Sequence, residues 1–404
     1  MPKRKAVGPP SMTSRFVYIG AGSYGQHKVS DAPGYKKGTK TKLRTGILIT
    51  RAEKQGGPLQ EVGFHAGPEF GWLAYLPPKT ASSTAFLYGV SKLGMLHSFT
   101  ISPEDGSLAE VSRVDTLGCS AYLELHGSNA LVANYGDGVL ATFRLSADGT
   151  VSEARDSKLH WHEPSDEELA DRQEASHPHQ IRIAPAPTSV TSGGECGGTG
   201  CWALACDLGA DMVWVYQFDV ASGALVGAAN SSRHLKLAEG SGPRHLEFHP
   251  NGKWVYVLCE LSGDIVTCRW DGATGELSQA HAVSALPAGV ACCRAHHAGN
   301  SHIVAAPDGT RVYATTRTDN SVVAFSVHPR NGSLTFVQRV STCGLCPRNF
   351  DVSAEAPHRL RVYNQDSHTL AEFTLDGSGR LSDRPEVLTE FKGVCGQCLC
   401  EVAL

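Results

Sequence analysis

The sequence predicts an all-β chain that folds as a seven-bladed β-propeller of four-stranded antiparallel blades. The first observation is an internal repeat, in which a short polar turn is followed by Gly-x-Leu or a close variant. The second is that two strand-like runs, rich in aromatic and β-branched residues, precede most of these turns. At least three strands in roughly fifty residues match one propeller blade. The repeated turns start at Gly57, Gly106, Gly149, Gly223, Gly275, Gly332 and Gly379.

The two ends of the chain are predicted to share one blade. An early strand-like run covers residues 16–20, and the chain ends at Leu404, soon after the seventh turn. Natural sheets avoid long exposed edges, and a closed ring of blades removes them. We therefore expect the run at 16–20 to complete a blade that the C-terminal segment begins, so that the N- and C-terminal strands close the ring.

One propeller domain is expected to span residues 14–404, after a basic arm at 1–13 that is expected to be disordered. Insertions are predicted near 27–44, 156–175 and 187–200. The second contains a short acidic helix at 163–171, which has a good start signal. The third is rich in Pro, Ser, Thr and Gly, which is typical of a surface loop.

Charge and composition argue against several function classes. The chain has 404 residues, and 36 Lys plus Arg against 40 Asp plus Glu give a net charge of −4. This balance does not indicate a nucleic-acid or anionic-membrane surface. No apolar run has the length of a membrane span, and no apolar core follows the basic N-terminus, so no secretory signal is predicted. We expect a cytoplasmic monomer or weak homo-oligomer, without nucleic-acid or membrane partners.

The thirteen cysteines are expected to be reduced thiols in such a compartment. Two Cys-x-x-Cys pairs, Cys343/Cys346 and Cys395/Cys398, raise the question of zinc or redox chemistry. The two pairs are much farther apart than those of a zinc ribbon, and no redox βαβ context accompanies them. The sequence therefore predicts neither a metal nor another cofactor.

Polar residues recur at equivalent positions of the predicted blades, and they are the candidates for a functional site. Loops at one end of a propeller channel converge, so residues that are distant in sequence can meet there. One set lies where the chain enters a blade, and the other lies at the end of the inner strand that follows. The first set is His177, His179, Arg244, His245 and Arg348, and the second is Glu260, Arg317 and Gln365.

These residue types suit a small anionic substrate whose reaction needs proton transfer. Guanidinium forks fit carboxylate and phosphate groups. Single arginines that follow proline, such as Arg244 and Arg348, have an equally good structural interpretation as donors to strand-end carbonyls. The residues expected to bind the substrate anion are Arg244, Arg317, Arg348, His245 and Gln365.

Three residues are candidates for the proton transfer. Histidine titrates near neutrality, so His179 or His177 could accept a proton from water. Glu260 could act as the base, or it could stay ionised beside the arginines and orient them. The sequence leaves these roles open.

Three stretches resemble the motifs of one known family. They are His177-Pro178-His179-Gln180, Gly242-Pro243-Arg244-His245 and Pro347-Arg348-Asn349-Phe350. Their order and blade spacing together are similar to those of the seven-bladed propeller lactonases. That family contains the bacterial-type 6-phosphogluconolactonases and the fungal 3-carboxy-cis,cis-muconate lactonizing enzymes.

The resemblance implies a metal-independent lactonase that hydrolyses a small anionic sugar lactone. The favoured substrate is 6-phosphogluconolactone, which would be converted to 6-phosphogluconate in the pentose phosphate pathway. The site proposed for the family falls on His177 or His179, Arg244, Glu260 and Arg317. This is the group that the blade positions had already brought together.

Two other functions stay open from the sequence. A carboxymuconate-type lactonizing cycloisomerase would use the same arginines to bind its carboxylates. A non-catalytic propeller scaffold is the other alternative, although the Gly-His and Trp-Asp signatures of such scaffolds are missing. The chain also departs from its relatives at Ser91-Lys92, where they often have Glu, and at Ser301-His302-Ile303, where they often have Ala-Glu-Ile.

Overall fold

The structure is a computed structural model, and it describes most of the chain. The described residues are 15–22, 42–52, 57–78, 80, 83–162, 170–186, 201–227, 233–292, 299–353 and 358–404. The expected basic arm at 1–13, the loop at 187–200 and most of the insertion at 27–44 lie outside these ranges. So does most of the expected helix at 163–171.

Seven antiparallel sheets form the propeller, and we number these blades 1–7 from the N-terminus. Blade 1 contains β1 (Arg15–Gly22), β2 (Gly46–Ala52), β3 (Leu59–Ala66) and β29 (Cys395–Ala403). Blade 2 contains β4 (Phe70–Leu76), β5 (Phe86–Ser91), β6 (Met95–Ile101) and β7 (Leu108–Asp115). Blade 3 contains β8 (Ser120–His126), β9 (Asn129–Asn134), β10 (Val139–Arg144) and β11 (Asp156–Leu159).

Blade 4 follows a short helix, α1 (Ala170–Gln173), and its outer strand is in two pieces. It contains β12 (Pro178–Ile183), β13 (Cys201–Asp207), β14 (Met212–Asp219), β15 (Ala224–Val226) and β16 (Leu235–Lys236). Blade 5 contains β17 (Pro243–Phe248), β18 (Trp254–Cys259), β19 (Asp264–Asp271) and β20 (Glu276–Ser284). Blade 6 contains β21 (Asn300–Ala305), β22 (Arg311–Thr316), β23 (Ser321–Val327) and β24 (Leu334–Ser341). Blade 7 contains β25 (Pro347–Val352), β26 (Arg359–Asn364), β27 (Thr369–Thr374) and β28 (Val387–Glu390).

The predicted ring closure is confirmed. The C-terminal strand β29 pairs antiparallel with β1, with Tyr18 opposite Cys400, and it is the innermost strand of blade 1. The innermost strands β4, β8, β12, β17, β21, β25 and β29 contact one another in this cyclic order around the channel. Both ends of the chain therefore contribute strands to the same blade.

The hydrophobic core lies between neighbouring blades. In one such layer, Trp254 and Tyr256 of blade 5 pack against Val312 and Phe325 of blade 6. Burial of a side chain of this size stabilises the fold by about 1.5–3 kcal/mol. Because every blade buries both faces in this way, the seven blades depend on one another.

The repeated Gly-x-Leu turn has a packing role between blades. Gly149 has a positive φ of 86°, and a Cβ at this position would lie 2.2 Å from the ring of Phe86 in the preceding blade. Gly106 faces the ring of Phe16 in the same way. A side chain would collide there, and the left-handed conformation favours glycine. The glycines of the turns at Gly106, Gly149, Gly275 and Gly332 thus each fit against an aromatic ring of the blade before, whereas Gly223 faces Arg155 and Thr142.

The insertion expected at 156–175 begins later than that. Residues 156–159 form the outer strand β11, which pairs with β10, so they belong to blade 3. The described helical part of the insertion is α1, which begins at Ala170. None of the helices in the described ranges is long and apolar enough to cross a membrane.

Candidate functional site

A β-bulge in every blade directs side chains toward one end of the channel. In each blade, the ladder between the innermost strand and the second strand shifts register near this end. Bulges of this kind re-aim a side chain and are frequent next to active sites. The residues left without a ladder partner are Gly71, Ala121, His179, Arg244, Ser301 with His302, Arg348 and Gln397.

Most of these bulge residues line one cavity at the end of the channel. The cavity holds about 270 Å³ of empty space, part of which is its opening to solvent. Its lining consists of Gly71, Trp72, Lys92, Ala121, His179, Arg244, His245, Arg348 and Gln397. The structure thus brings together four residues that the sequence predicted, namely His179, Arg244, His245 and Arg348.

A second set of residues follows the second strand of each blade, the strand that the sequence analysis called inner. Glu260 follows β18, and its backbone N–H donates to the carbonyl of Gly242 over 2.7 Å. Arg317 and Lys92 make the equivalent bonds, each over 2.9 Å, to the carbonyls of Gly299 and Glu69. These positions lie behind the bulge residues, and only Lys92 among them lines the cavity.

Three guanidinium groups surround the carboxylate of Glu260. Arg172 donates to Oε1 over 2.6 Å. The Arg317 guanidinium lies 3.0 Å from Oε1, and Nε of Arg244 lies 2.9 Å from Oε2. The side chains of Arg244 and Glu260 are only 3% and 4% exposed. The cluster therefore carries a net positive charge away from bulk water.

This environment determines the ionisation of Glu260. Burial alone would raise the pKa of Glu260, but Arg317, Arg172 and Arg244 together hold this pKa well below its usual range. Its two oxygens are already engaged by three guanidinium groups, and Glu260 does not line the cavity. Glu260 is thus better suited to hold the arginines in place than to activate water.

Arg244 connects this ion cluster to the cavity. Its Nη1 donates to the backbone carbonyl of Ser301 and lies 3.1 Å from Nε2 of His245. Guanidinium nitrogens have no acceptor capacity, so Nε2 of His245 accepts. The Nδ1–H of His245 then donates to Nδ1 of His302 over 2.7 Å. Arg244 is therefore held from several sides, with part of its side chain facing the cavity.

Aromatic rings close the channel beneath the cavity. Trp72 lies 4.2 Å from Tyr122 and 5.7 Å from both His245 and His302, measured between ring centroids. Burial, followed by the charge of Arg244, lowers the pKa of His245 well below its usual range. His245 is accordingly neutral at neutral pH, and it supports Arg244 rather than adding a positive charge for an anion.

The two candidate histidines differ in their surroundings. His179 lines the cavity, and its Nδ1 has no hydrogen-bond partner among the described residues. His177 is engaged on both nitrogens, with the carbonyl of Tyr135 at 2.7 Å and Glu174 at 3.0 Å. Burial, followed by the charge of Arg244, lowers the pKa of His179 well below its usual range. Of the two, His179 is therefore the neutral imidazole that a ligand could reach.

Arg348 and Gln365 form a separate pair at the cavity. The Nη1 of Arg348 donates to Oε1 of Gln365 over 3.2 Å. Gln365 is buried and does not line the cavity, so it orients Arg348 from behind. No group of three or more His, Cys, Asp or Glu in the described ranges is arranged to hold a metal ion.

The sequence analysis missed Lys92, Trp72, Gln397 and Arg172 as residues of the site. Lys92 had been noted as a departure from relatives, and its position after β5, equivalent to Glu260, was the available signal. Gln397 occupies the bulge of β29, which the sequence does not reveal. Arg172 comes from the insertion between blades 3 and 4, where no repeat position predicts it.

Comparison with known proteins identifies relatives of the whole chain. Residues 38–395 match the family model described as "Lactonase, 7-bladed beta-propeller". The chain is 29% identical over 334 residues to the 6-phosphogluconolactonase of Bacillus subtilis (strain 168), covering 80% of this chain and 86% of that protein. It is 31% identical over 186 residues to the 6-phosphogluconolactonase of Formosa agariphila, covering 45% of this chain and 50% of the other.

Solved structures match the fold over nearly the full length. The periplasmic gluconolactonase of Pseudomonas aeruginosa superposes with a TM-score of 0.77 at 25% identity, covering 96% of this chain and 99% of that one. A Bacteroides fragilis structure superposes with a TM-score of 0.76 at 24% identity, covering 98% and 99% of the two chains. The second likeness supports the fold alone.

Proposed function

Because the chain belongs to the family of seven-bladed β-propeller lactonases, we propose that it hydrolyses a small anionic sugar lactone and that 6-phosphogluconolactone is its substrate. As a lactonase, the protein is a carboxylic-ester hydrolase. Two of its relatives are named for 6-phosphogluconolactone, and a structural relative is named for gluconolactone. The distinction between these substrates depends on the lining of the cavity.

One observation carries the proposal: a neutral imidazole faces a cavity whose charged lining residues are all cationic. Lys92, Arg244 and Arg348 line it, and among the described residues no carboxylate does. Such a lining favours an anionic ligand and excess negative charge in a transition state. The imidazole of His179 lines the cavity, and its buried Nδ1 makes no hydrogen bond within the described residues, so the ring is not committed to another group.

His179 is proposed as the general base and Arg244 as the oxyanion donor. His179 takes a proton from a water molecule, and the water oxygen forms a bond to the lactone carbonyl carbon. Arg244 stabilises the negative charge that develops on the carbonyl oxygen, a contribution of about 3–4 kcal/mol for a well-placed donor. The ring C–O bond then breaks, protonated His179 returns the proton to the ring oxygen, and the new acid ionises to a carboxylate.

The other predicted residues have supporting roles. Glu260 and Arg317 position Arg244, His245 supports it from the channel floor, and Gln365 orients Arg348 against the substrate anion. His177 has both ring nitrogens engaged and serves to fix the loop around Tyr135. Arg317, His245 and Gln365, which we expected to bind the anion, are thus reassigned to the support of the groups that do.

Turnover of 6-phosphogluconolactone, measured above its spontaneous hydrolysis and in the presence of EDTA, tests this function. We expect activity that the chelator leaves unchanged. His179→Gln should lower kcat by about 10²–10⁴-fold, the usual contribution of a general base. His177→Gln is the matched histidine control and should cost less than about tenfold. Absence of turnover would refute the substrate, and an equal loss in both variants would refute the assignment of the base.

The neutral state of His179 also bears on the cycloisomerase alternative. That reaction requires an acid to deliver a proton to carbon, and a histidine with a lowered pKa is unprotonated in the free enzyme. Hydrolysis is therefore the favoured direction. A parallel assay with 3-carboxy-cis,cis-muconate should show no cyclisation, and rapid cyclisation would reverse this preference.

We also propose that the protein works in the cytoplasm. The cysteines in the described ranges are free thiols, and several of them, such as Cys206 and Cys259, are fully buried. A reducing compartment keeps thiols in this state. Fractionation of the source cells should recover the protein with cytoplasmic markers, and recovery with a secreted or periplasmic fraction would contradict the proposal.

A further inference from the structure

Lys92 occupies the cavity from the blade opposite Arg244. It follows β5 in blade 2, at the position that Glu260 holds in blade 5, and its backbone N–H donates to the carbonyl of Glu69 over 2.9 Å. The cyclic order of the inner strands puts blade 2 three blades away from blade 5. Lys92 and Arg244 therefore approach the cavity from different sides.

Two small bulge residues give Lys92 the room that it needs. Gly71 and Ala121 occupy the bulges of blades 2 and 3, where other blades carry long polar side chains. A Cβ on Gly71 would lie 3.5 Å from Cε and 3.6 Å from Nζ of Lys92. The lysine side chain thus lies directly over the glycine and reaches the cavity along it.

Arg348 and Gln397 flank Lys92 on the side away from His179. Their blades, 7 and 1, follow one another in the ring and lead to blade 2, while blade 3 separates blade 2 from His179. All three residues line the cavity. One wall therefore offers an ammonium, a guanidinium and an amide, and the wall with His179 and Arg244 is left for the reacting carbonyl.

We propose that Lys92, together with Arg348 and Gln397, forms the subsite for the phosphate group of the substrate, and that Lys92 sets the preference for a phosphorylated over an uncharged lactone. This inference rests on the proposed lactonase function for the reacting end of the substrate. The phosphate subsite itself binds its ligand independently of the reaction.

The charge state of Lys92 is compatible with this role near neutral pH. Burial, with a further contribution from Arg348, lowers the pKa of Lys92 to about 8. Arg244 acts in the same direction, while Cys119 and Glu69 act in the opposite one. Lys92 is thus mostly an ammonium at pH 7, and a phosphate dianion bound beside it would favour that form further.

Titration of inorganic phosphate into the purified protein tests the subsite without catalysis. Lys92→Met keeps much of the side-chain volume and removes the charge. A hydrogen bond to a charged group contributes about 1.5–3 kcal/mol, so the Kd for phosphate should rise about 10–100-fold. Lys253→Met removes an exposed lysine at the opposite end of blade 5 and should leave the Kd unchanged.

Steady-state kinetics extend the test to the substrate. Lys92→Met should raise KM for 6-phosphogluconolactone about 10–100-fold, and this rise in KM should exceed any fall in kcat. KM for the uncharged glucono-1,5-lactone should change by less than about twofold. The preference for the phosphorylated lactone should then fall by the same factor as phosphate affinity.

A comparison with Lys92→Arg separates the charge of Lys92 from the ionisation of phosphate. Arginine stays charged at all accessible pH values. The ratio of Kd for the native protein to Kd for Lys92→Arg should therefore rise between pH 7 and pH 9, as the native lysine loses its proton. Phosphate ionisation affects both proteins equally and cancels in this ratio.

The outcomes distinguish the subsite from the proposed function. Unchanged phosphate affinity and unchanged substrate preference in Lys92→Met would overturn the subsite, even if the native protein is an active lactonase. Lys92-dependent phosphate binding in a protein that hydrolyses neither lactone would support the subsite and refute the function. If Lys92→Met does not fold, the comparison with Lys92→Arg decides. A ratio of native Kd to Lys92→Arg Kd for phosphate that does not change with pH would overturn the proposal.

Discussion

Replacement of Glu260 by glutamine removes the negative charge that three arginines share, with little change in size. Breaking a buried ion pair on one side typically costs about 3–5 kcal/mol, because the remaining charge is left uncompensated. Glu260 is 4% exposed, and Arg172, Arg244 and Arg317 all lie within 3.0 Å of its carboxylate oxygens. We therefore expect Glu260→Gln to lower the free energy of unfolding by about 3–5 kcal/mol.

Thermal unfolding provides the assay. Unfolding entropy is about 2.1 cal/mol/K per residue, so a chain of 404 residues loses roughly 4–6 °C in Tm for this change in free energy. Arg172→Met, added to Glu260→Gln, removes one of the uncompensated cations and should recover part of the loss. A Tm within about 1 °C of the native value in Glu260→Gln, or a double variant less stable than the single one, would refute the reasoning.

The difference in Tm between the native protein and Glu260→Gln should change with pH in a definite direction. The pKa of Glu260 is held well below its usual range in the folded protein. A depressed carboxyl pKa contributes stability that is fully present above the unfolded value, about 4.3, and is lost as pH falls below it. The Tm difference between the native protein and Glu260→Gln should therefore be constant from about pH 5 to pH 8 and should narrow below about pH 4.

The Glu260→Gln variant also tests whether Glu260 positions Arg244 or acts as the general base. If Glu260 holds Arg244 in place, kcat falls in Glu260→Gln and the pH–rate profile keeps its acid limb, moved to lower pH because the charge of Glu260 raises the pKa of His179. If Glu260 were the base, the acid limb of that profile would disappear with its carboxylate. A profile without its acid limb would thus assign the proton transfer to Glu260 in place of His179.

Two further predictions concern the base and the blade contacts. Because burial and Arg244 lower the pKa of His179 well below its usual range, the acid limb of kcat/KM should lie well below pH 6.5; a limb at or above pH 6.5 would contradict this assignment. Gly149→Ala should lower the free energy of unfolding by about 1–3 kcal/mol more than Gly252→Ala, since both glycines have positive φ but only Gly149 faces a ring, that of Phe86. Urea unfolding measures both, and equal losses would show that the contact between blades is unimportant.

Much of the fold could be predicted because its determinants recur in the sequence. In six of the turns the glycine fits against a side chain of the preceding blade, as the contact between Gly149 and Phe86 illustrates, so the repetition of the turn indicates the number of blades. The shared first and last blade followed from the strand at 16–20 and from the need to close the ring. The start of the insertion after blade 3 was less well predicted, because the polar strand β11 resembles a loop in sequence.

The site could be predicted only in part, because register determines it. His179, Arg244 and Arg348 were found because adjoining motifs marked them, and all three occupy bulges. The sequence could not predict which residues line the cavity and which support them from behind, because a register shift of one residue moves a side chain to the other face of a strand. Glu260 does follow the strand predicted before it, but this is the second strand of its blade and not the innermost one, and Gln397 was not found.

The bulge residues differ from blade to blade. This difference explains how a fold built from repeats forms a site whose two ends are chemically distinct. Six of the seven blades place their bulge residue in the cavity lining, so the chemistry of the cavity depends on the residue at each of these six positions. The two smallest, Gly71 and Ala121, are adjacent in the ring and leave space that Lys92 enters from behind. A Cβ at position 71 would lie 3.1 Å from the backbone oxygen of Ser120 and 3.5 Å from Cε of Lys92, so a larger side chain there would narrow the space along which Lys92 reaches the cavity. Specificity for the charged end of the substrate can therefore be set by a position that contributes no functional group.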